Sequence, residues 1–417
     1  MQRRAFIKNS GIALFAATLG GVPTFVRAAA RDYRQPNGTR PKVLVTIFQR
    51  GAMDGLAAVQ PLNDPHLKEL RPGLVMDAAR TGNDKVRALD DRFGLHPSLA
   101  PLLPFYEDGR LAIVHGVGSP NQSRSHFDAQ DYMEAGTPGR KSTPDGWLNR
   151  VAGQLDGSGT PFRAVSLTPA LPRSLYGTSY AISVERLEDL RLAAGLPAGM
   201  GGNAASEGFE ALYRQTSADL LRSSGSVTLD ATQMLAEAEL DNYQPARGVR
   251  YPNSALGRSL RQIAQLIKAG VGLEIAFAES GGWDTHSRQG GAFGGFTQRA
   301  NDLSACISNF WRDIAAHQDE VCLLTMTEFG RTVKQNGSFG TDHGRGSCLF
   351  VLGNSVRGGK IYGDVPALKV ANLEDGRDLP VTTDFRSVFS GVAAQHLGVD
   401  GGEDLFPGWS GTDLKLM

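Results

Sequence analysis

The chain has 417 residues, 43 basic and 43 acidic side chains, and a hydrophobic fraction of 41%. This composition is that of a globular protein and excludes an intrinsically disordered one. Balanced charge without a long basic run argues against a nucleic-acid binder that depends on phosphate contacts. The 51 glycines follow no Gly-X-Y period, which excludes a collagen-like fibre and indicates many tight loops.

The first 30 residues have the three parts of an export signal in the expected order. Arg3 and Arg4 begin a twin-arginine motif. An apolar stretch over 12–26 follows, and small residues at 28–30 offer a cleavage site. Four basic and no acidic residues lie in this segment, so its removal leaves a mature chain of net charge −4. We predict export through the twin-arginine machinery to the periplasm or the extracellular space, with an uncleaved amphipathic anchor as the alternative.

Five short apolar runs predict strands that are buried on both faces of a sheet. They cover residues 43–48, 111–115, 273–277, 321–325 and 348–352. Between them, apolar residues recur at helical spacing over 256–267 and 296–314. Strands that alternate with helices form a mostly parallel sheet with helices on both faces. The sequence therefore predicts the α/β class, in which functional residues collect where the strands end.

The region 137–252 has few strand-like runs and is rich in glycine, serine and alanine. We predict that it forms an inserted cap on a single domain that spans 31–417. Its loops would then control the choice of substrate. The apolar stretch of the signal is too short for a stable membrane span. We also expect no membrane-spanning segment in the chain that remains after the signal is removed.

Polar residues follow the first two predicted strands. Asp54 lies six residues beyond the first strand, where its carboxylate can face the edge of the sheet or cap the next helix. Ser123 and Ser125 follow the second strand and stand close to a predicted helix start. Free backbone N–H groups at such a start attract anions, although plain N-capping by either serine is the alternative.

Two further loops each pair an aspartate with a histidine. Asp284 and His286 follow the third predicted strand, and Asp342 and His343 precede the fifth. Carboxylate oxygens and imidazole nitrogens are the ligands that Zn²⁺ and Mn²⁺ prefer. One such pair is often a hydrogen-bonded turn, but two pairs together with Asp54 predict a shared site for one or two divalent metal ions.

Five blocks of sequence resemble the DUF1501 family, and they occur in order over nearly the whole mature chain. The blocks are Gly51–Gly55, Arg124–Asp131, Gly282–His286, Glu328–Thr332 and Gly340–Gly344. The family is exported and is similar to a branch of the alkaline phosphatase and sulfatase superfamily. The resemblance therefore implies an alkaline-phosphatase-like fold with two metal ions that flank a nucleophile at a helix start.

In this chain, the resemblance implies one metal site from Asp54, Asp342 and His343. The nucleophile that touches this metal would be Ser125, or else Ser123. The resemblance also implies that the nucleophile forms a covalent phospho-enzyme. The sulfatase-type Cys-x-Pro-x-Arg nucleophile is absent from the sequence. This favours phosphate esters over sulfate esters as substrates.

The second implied metal site contains Asp284 and His286, with one residue between them where the superfamily has three. A further histidine is expected downstream, and the sequence offers His396, for which we favour a helix-capping role. Glu328 is the alternative ligand. The altered spacing and the missing histidine are where this chain departs from the superfamily pattern.

Two functions are compatible with this pattern. The first is an exported metal-dependent hydrolase or transferase that acts on an anionic ester substrate. Arg124 or Arg331 would hold an anionic oxygen of that substrate through paired N–H donors, with a structural salt bridge as the alternative for Arg331. The second is a secreted binding or assembly protein that keeps the fold but has lost the chemistry.

Overall fold

The computed structural model describes residues 38–76, 84–157, 159–189 and 243–417. Its α-helices are α1 (Gly55–Ala58), α2 (Pro65–Leu70), α3 (Leu103–Glu107), α4 (His126–Ala135), α5 (Trp147–Gln154), α6 (Ala255–Ala269), α7 (Gly295–Asp313) and α8 (Phe385–Val392). Short 3₁₀ or π helices occupy Pro97–Leu102, Arg173–Leu175, Ala315–His317, Val370–Asn372, Ala393–Leu397 and Gly402–Asp404. Among the described residues, no helix has the length and apolar character that a membrane crossing requires.

The strands belong to two sheets. They are β1 (Val43–Gln49), β2 (Val59–Pro61), β3 (Arg87–Ala88), β4 (Phe93–Leu95), β5 (Leu111–Gly118), β6 (Ala164–Ser166), β7 (Ile182–Ser183), β8 (Ile275–Ser280), β9 (Val321–Met326), β10 (Ser347–Gly353), β11 (Lys360–Tyr362) and β12 (Thr383–Asp384). The main sheet has the order β11–β5–β10–β9–β1–β8–β6–β7, with β12 beside β5. A small antiparallel sheet contains β2, β4 and β3.

The main sheet is mostly parallel. Its central strand β1 pairs in parallel with β8 and β9, and β6 continues the parallel arrangement beyond β8. Strand β10 differs, because it runs antiparallel to both β9 and β5. The five predicted strands are confirmed as β1, β5, β8, β9 and β10.

Side chains of β1 alternate between two cores, one on each face of the main sheet. Val45 and Ile47 face a cluster that α6 and α7 complete, with Ile263 and Phe310 fully buried there. Phe48 faces the second cluster, which α5 and α8 complete. Helices therefore cover both faces of a mostly parallel sheet, and the predicted α/β class is confirmed.

The structure corrects the prediction that 137–252 is an insertion throughout. Within this region, β6 pairs with β8 and β7 pairs with β6, so both belong to the main sheet. Helix α5 contributes Trp147 and Val151 to the second core. Residues 190–242, which belong to the predicted cap, and the predicted signal at 1–30 lie outside the described residues.

Strand direction brings distant segments of the chain to one edge of the main sheet. Strands β1, β5, β8 and β9 all point the same way, so the loops that follow them leave from this edge. Because β10 runs in the opposite direction, the connection from β9 to β10 returns to the same edge. The candidate residues of all these loops therefore meet there.

Two buried histidines bond to backbone carbonyls of strands, His115 to β2 and His396 to β1. His115 Nε2 donates to the Val59 carbonyl and its Nδ1 accepts from the Gly116 N–H, both at 2.9 Å. His396 Nε2 lies 3.1 Å from the carbonyl of Val43, at the opposite end of β1 from the candidate residues. The expected helix-capping role of His396 is therefore replaced by a bond to β1. Burial lowers the pKa of both imidazoles to about 4.

These two histidines make the free energy of unfolding depend on pH. Their pKa falls from 6.5 in the unfolded chain to about 4 in the folded protein. Between these values the unfolded state binds more protons, so stability is lost as pH falls from 6.5 to 4, by about 3 kcal/mol for each histidine. We expect the His396→Gln variant to take up one proton fewer on unfolding than the wild type between pH 4 and pH 6.5. Urea unfolding at several pH values in this range, with a chelator present, measures this difference. If His396→Gln left the slope of unfolding free energy against pH unchanged, the lowered pKa of His396 would be contradicted. His66→Gln, at a partly exposed position, is the control and should keep the wild-type slope.

Candidate metal centre

Three histidines and one aspartate form a cluster at this edge of the sheet, which we call the His₃Asp cluster. One ligand atom from each of His126, Asp284 and His343 lies within 4.8 Å of the other two. Asp284 Oδ1 is 3.4 Å from His126 Nε2 and 3.3 Å from His343 Nε2. His286 completes the cluster, with its Nε2 3.0 Å from Asp284 Oδ1 and 2.8 Å from His343 Nε2.

The measured spacings between donor atoms of the cluster are those found around a bound metal ion. Around Zn²⁺, metal–ligand distances of about 2.0 to 2.1 Å place neighbouring donor atoms about 3.3 Å apart. The contacts of 2.8 to 3.4 Å in the cluster lie around that value. In addition, the buried Nε2 of His126 makes no hydrogen bond within the described residues. A buried lone pair without a partner is costly unless a ligand occupies it, so the donor set fits a divalent ion.

Each imidazole of the cluster is oriented from behind by an oxygen atom. The Nδ1–oxygen pairs are His126 with Glu328 Oε1 at 2.8 Å, His286 with Asp342 Oδ1 at 3.0 Å, and His343 with the Arg124 carbonyl at 2.7 Å. Carbonyl and carboxylate oxygens accept, so each Nδ1 carries the proton and each Nε2 keeps its lone pair. Such outer hydrogen bonds fix the tautomer and the ring orientation of metal-binding histidines.

Arg331 holds the carboxylate of the cluster. Its buried guanidinium donates from Nη1 to Asp284 Oδ1 at 2.7 Å, and its other nitrogens bind Thr341. Partial burial raises the pKa of Asp284, but the hydrogen bond and charge of Arg331 outweigh this effect and hold that pKa below its usual range. Asp284 is therefore ionised, as a metal ligand must be.

Glu328 is fully buried behind His126. Its Oε1 accepts from the Gly51 N–H and from the Gln130 side chain, both at 2.8 Å, as well as from His126. Burial raises the pKa of Glu328, but these hydrogen bonds lower it further than burial raises it. The hydrogen bond to Glu328 in turn raises the pKa of His126. Glu328 therefore supports a ligand of the cluster and is not placed as a ligand itself.

A family model described as "Protein of unknown function (DUF1501)" matches residues 41–405 of the chain. The chain belongs to the DUF1501 family. The resemblance that the sequence blocks indicated is thereby confirmed. No curated protein matches the sequence.

Solved structures similar to this family member share little sequence with it. They include the zinc complex of the C-terminal periplasmic domain of EcEptC from Escherichia coli, at 9% identity and a TM-score of 0.33, covering 77% of this chain and 74% of that one. Phosphonate monoester hydrolase SpPMH from Silicibacter pomeroyi has 10% identity and a TM-score of 0.39, covering 90% of this chain and 76% of its own. TM-scores of this size do not establish a shared fold, so nothing about the DUF1501 chain follows from them.

The structure brings Asp284, His286 and His343 together in one cluster, although the superfamily resemblance assigned them to two metal sites. Asp342, predicted as a ligand, lies behind the ring of His286 and outside the cluster. Its Oδ1 accepts from His286 Nδ1 at 3.0 Å and from Asn336 at 3.1 Å. The structure therefore offers one candidate centre with an outer carboxylate in place of the two predicted sites.

The structure corrects the prediction that Asp54 is a metal ligand. Its buried carboxylate binds Arg71 Nη1 at 3.0 and 3.2 Å and Gln289 Nε2 at 2.6 Å. It also caps α1 by accepting from the Ala57 N–H at 3.1 Å. The helix-capping alternative is the one observed, because these donors occupy both carboxylate oxygens.

The structure also corrects the roles expected for the two arginines. Arg124 forms ion pairs with Asp375 at 2.9 Å and Asp378 at 2.5 Å, and Arg331 is paired with Asp284. All three guanidinium nitrogens of Arg331 are engaged within the protein, whereas Arg124 uses its Nε and Nη2 for the two aspartates. Arg124 instead orients His343 through its carbonyl, and Arg331 follows the salt-bridge alternative.

His126 is the ligand that sequence analysis missed. It supplies the third imidazole that was expected downstream, but from a position upstream of the Asp-His loops. It lies at the first position of α4, directly after the polar loop that follows β5. The same position after a strand that drew attention to Ser125 was therefore also the signal for His126.

Ser125 and Ser123 differ in whether the hydroxyl is free. Ser125 is the N-cap residue of α4, but its side chain makes no capping bond and has no partner within the described residues. The Ser123 hydroxyl accepts from the Ser125 N–H at 3.3 Å. Ser125 is exposed and lies between Arg124 and His126, both of which belong to the centre. Of the two candidate nucleophiles, Ser125 is the one with a free hydroxyl beside a ligand.

Metal content distinguishes this arrangement from the two-site prediction. We expect purified protein to contain one divalent ion per chain and Asp284→Ala or His343→Ala to lose it. Asp54→Ala should keep the ion but lose about 3 kcal/mol or more of stability, because it leaves the buried Arg71 unpaired. Elemental analysis and urea unfolding provide the two measurements. Two ions in the wild type and loss of one in Asp54→Ala would contradict the single centre.

Proposed function

We propose that the protein is an exported metal-dependent hydrolase or transferase of phosphate esters, with sulfate esters as a second substrate class. The observation that carries this proposal is a set of three oriented imidazoles and an ionised carboxylate beside the free hydroxyl of Ser125. The resemblance of the sequence blocks to the alkaline phosphatase and sulfatase superfamily supports the class of reaction.

His126, Asp284, His286 and His343 would hold the metal ion. Zn²⁺ and Mn²⁺ both suit a donor set of imidazole nitrogens and one carboxylate oxygen. When bound, such an ion supplies a Lewis acid that stabilises negative charge on phosphoryl oxygens. The side chains of Asp284 and His286 are 43% and 44% exposed, which leaves the centre open to a substrate from the solvent side.

Ser125 would act as the nucleophile. It is the N-cap residue of α4, where the free N–H groups and the helix dipole favour negative charge. Attack by Oγ on phosphorus forms a serine phosphate and breaks the bond to the leaving oxygen, which departs as an alcohol with the serine proton. Water then cleaves the serine phosphate and restores the hydroxyl, whereas an acceptor alcohol does so in a transferase.

One observation favours the second candidate function, a secreted binding or assembly protein. The cluster offers four protein donors, and four protein ligands close a structural zinc site, whereas catalytic sites keep a position for water or substrate. A binding protein would contain the same single ion but would not turn over an ester. Assays of the metal-loaded protein therefore separate the two candidates.

We expect Ser125→Ala to lower turnover of an aryl phosphate by about a thousandfold or more, because the nucleophile is lost. Metal content should stay unchanged, and Ser123→Ala should keep turnover within a few-fold of the wild type. Steady-state kinetics and elemental analysis test both statements. Metal-loaded wild-type protein that turns over no phosphate monoester, phosphate diester or sulfate ester would contradict the hydrolase and favour the binding protein.

The export part of the proposal depends on the twin-arginine motif of the first 30 residues. Proteins that use this route cross the membrane folded, which suits a chain that binds its metal in the cytoplasm. We expect the double substitution Arg3→Lys and Arg4→Lys to leave the precursor in the cytoplasm, as measured by cell fractionation and immunoblotting. Unimpaired export of the double variant would contradict this route.

A further inference from the structure

Three phenylalanines lie on the surface beside the His₃Asp cluster. The exposed fractions of Phe127, Phe293 and Phe339 are 88%, 75% and 64%, and they are the largely exposed phenylalanines of the described chain. Phenylalanine is usually buried, so exposed rings on segments that also carry the cluster indicate an interaction site. All three belong to segments that also hold the centre, and we call them the phenylalanine rim.

Phe127 directly follows the ligand His126 in the first turn of α4. His126 turns its ring inward to the cluster, whereas the ring of Phe127 lies almost entirely in solvent. Ser125, the proposed nucleophile, comes one residue before His126. A helix turn that carries a ligand, a free hydroxyl and an exposed aromatic ring places an apolar surface close to the reacting group.

Phe339 is displayed by a turn that also orients His286. Its φ of 55° lies in the left-handed region, which a bulky side chain rarely adopts. Asn336 fixes this turn by accepting from the N–H groups of Ser338 at 2.9 Å and Gly340 at 3.1 Å. The amide of Asn336 also donates to the His286 carbonyl at 2.8 Å. A rigid and strained turn that exposes an aromatic ring next to a ligand is typical of a functional surface.

Phe293 lies on the loop that connects the His286 segment to α7. The loop is closed by bonds from the Gly295 N–H to the Arg288 carbonyl at 3.0 Å and from the Phe296 N–H to the Gln289 carbonyl at 3.1 Å. The Gln289 N–H in turn donates to the Phe339 carbonyl at 2.9 Å. The loops that carry Phe293 and Phe339 are therefore joined through their backbones.

We infer that the substrate is an amphiphilic ester, in which an anionic group binds at the His₃Asp cluster and an aromatic or long alkyl group packs on the phenylalanine rim. This inference rests on the proposed function and specifies its substrate class. Aromatic side chains provide a large apolar contact area at low entropic cost, so a rim of this kind discriminates by the apolar part of a ligand.

The charge around the centre favours such a substrate over a membrane surface as the occupant of the rim. Exposed carboxylates lie near the centre, with Asp342 54% exposed and Asp375 60% exposed in its ion pair with Arg124, and the chain without its predicted signal has a net charge of −4. An anionic bilayer would be repelled by these carboxylates. A small anionic group instead reaches the cation site itself, which lies among the carboxylates.

Two phosphonates that cannot be hydrolysed test the inference. We expect metal-loaded protein to bind octylphosphonate about tenfold or more tightly than methylphosphonate in calorimetric titrations, because apolar area is buried on the rim. The double substitution Phe127→Ala and Phe339→Ala should abolish this preference, without change in metal content or in methylphosphonate affinity. Tyr176→Ala, which removes an aromatic ring that is 45% exposed outside these segments, should keep the preference.

The outcomes separate the inference from the proposed function. Equal affinity of the wild type for both phosphonates overturns the rim and leaves the hydrolase in place. Absence of binding for both, with the metal present, counts against the proposed function itself. Flotation with phosphatidylcholine vesicles covers the alternative occupant, since binding that needs the phenylalanines but not the metal would assign the rim to a membrane and overturn the inference.

Discussion

Three imidazoles share one small space in this protein because the Nδ1 proton of each is held by an oxygen behind the ring. Glu328, Asp342 and the Arg124 carbonyl supply these oxygens. Without these oxygens the rings could rotate or change tautomer. The three Nε2 atoms would then no longer lie close to Asp284 Oδ1 with their lone pairs available to a metal ion. The outer oxygens therefore decide whether a metal site exists, and the proposed chemistry at Ser125 depends on it.

Sheet topology explains how residues more than two hundred positions apart reach that space. Parallel strands bring the loops after β1, β5, β8 and β9 to one edge. The antiparallel strand β10 adds the segment before it, and this is how His343 enters the cluster. A fully parallel arrangement of the same strands would place His343 at the opposite end of the sheet. The direction of one strand is therefore as important for the site as the identity of its ligands.

The parts of the fold that the sequence predicts well are those with a local physical signature. Continuous apolar runs identified the long strands of the main sheet, and helical periodicity identified α6 and α7. Strands β6 and β7 have three and two residues, too few for a periodic signal, and they lie in the region that was predicted to be a cap. Their place in the sheet follows from pairing with β8, which is a tertiary contact.

The site was predictable to the same degree. Asp284, His286 and His343 were predicted as ligands because residues of the right chemistry stand next to predicted strands, and the structure gathers them in one cluster. For Asp54 the same reasoning was misleading, because its role depends on the buried guanidinium of Arg71, a contact that no sequence spacing reveals. Glu328 and Asp342 likewise act through histidines that are distant in sequence. Sequence therefore located the edge and most of the ligands, and the structure divided them into ligands and supports.

X-ray absorption spectroscopy at the absorption edge of the bound metal is the most direct test of the central claim, that the His₃Asp cluster forms a single metal centre. A single centre made by the His₃Asp cluster predicts three imidazole nitrogens and one carboxylate oxygen at about 2.0 to 2.2 Å, with outer-shell scattering from three imidazole rings. A metal–metal vector at about 3.5 to 4 Å would contradict the single centre. A shell of oxygen atoms without imidazole scattering would contradict the ligand set itself.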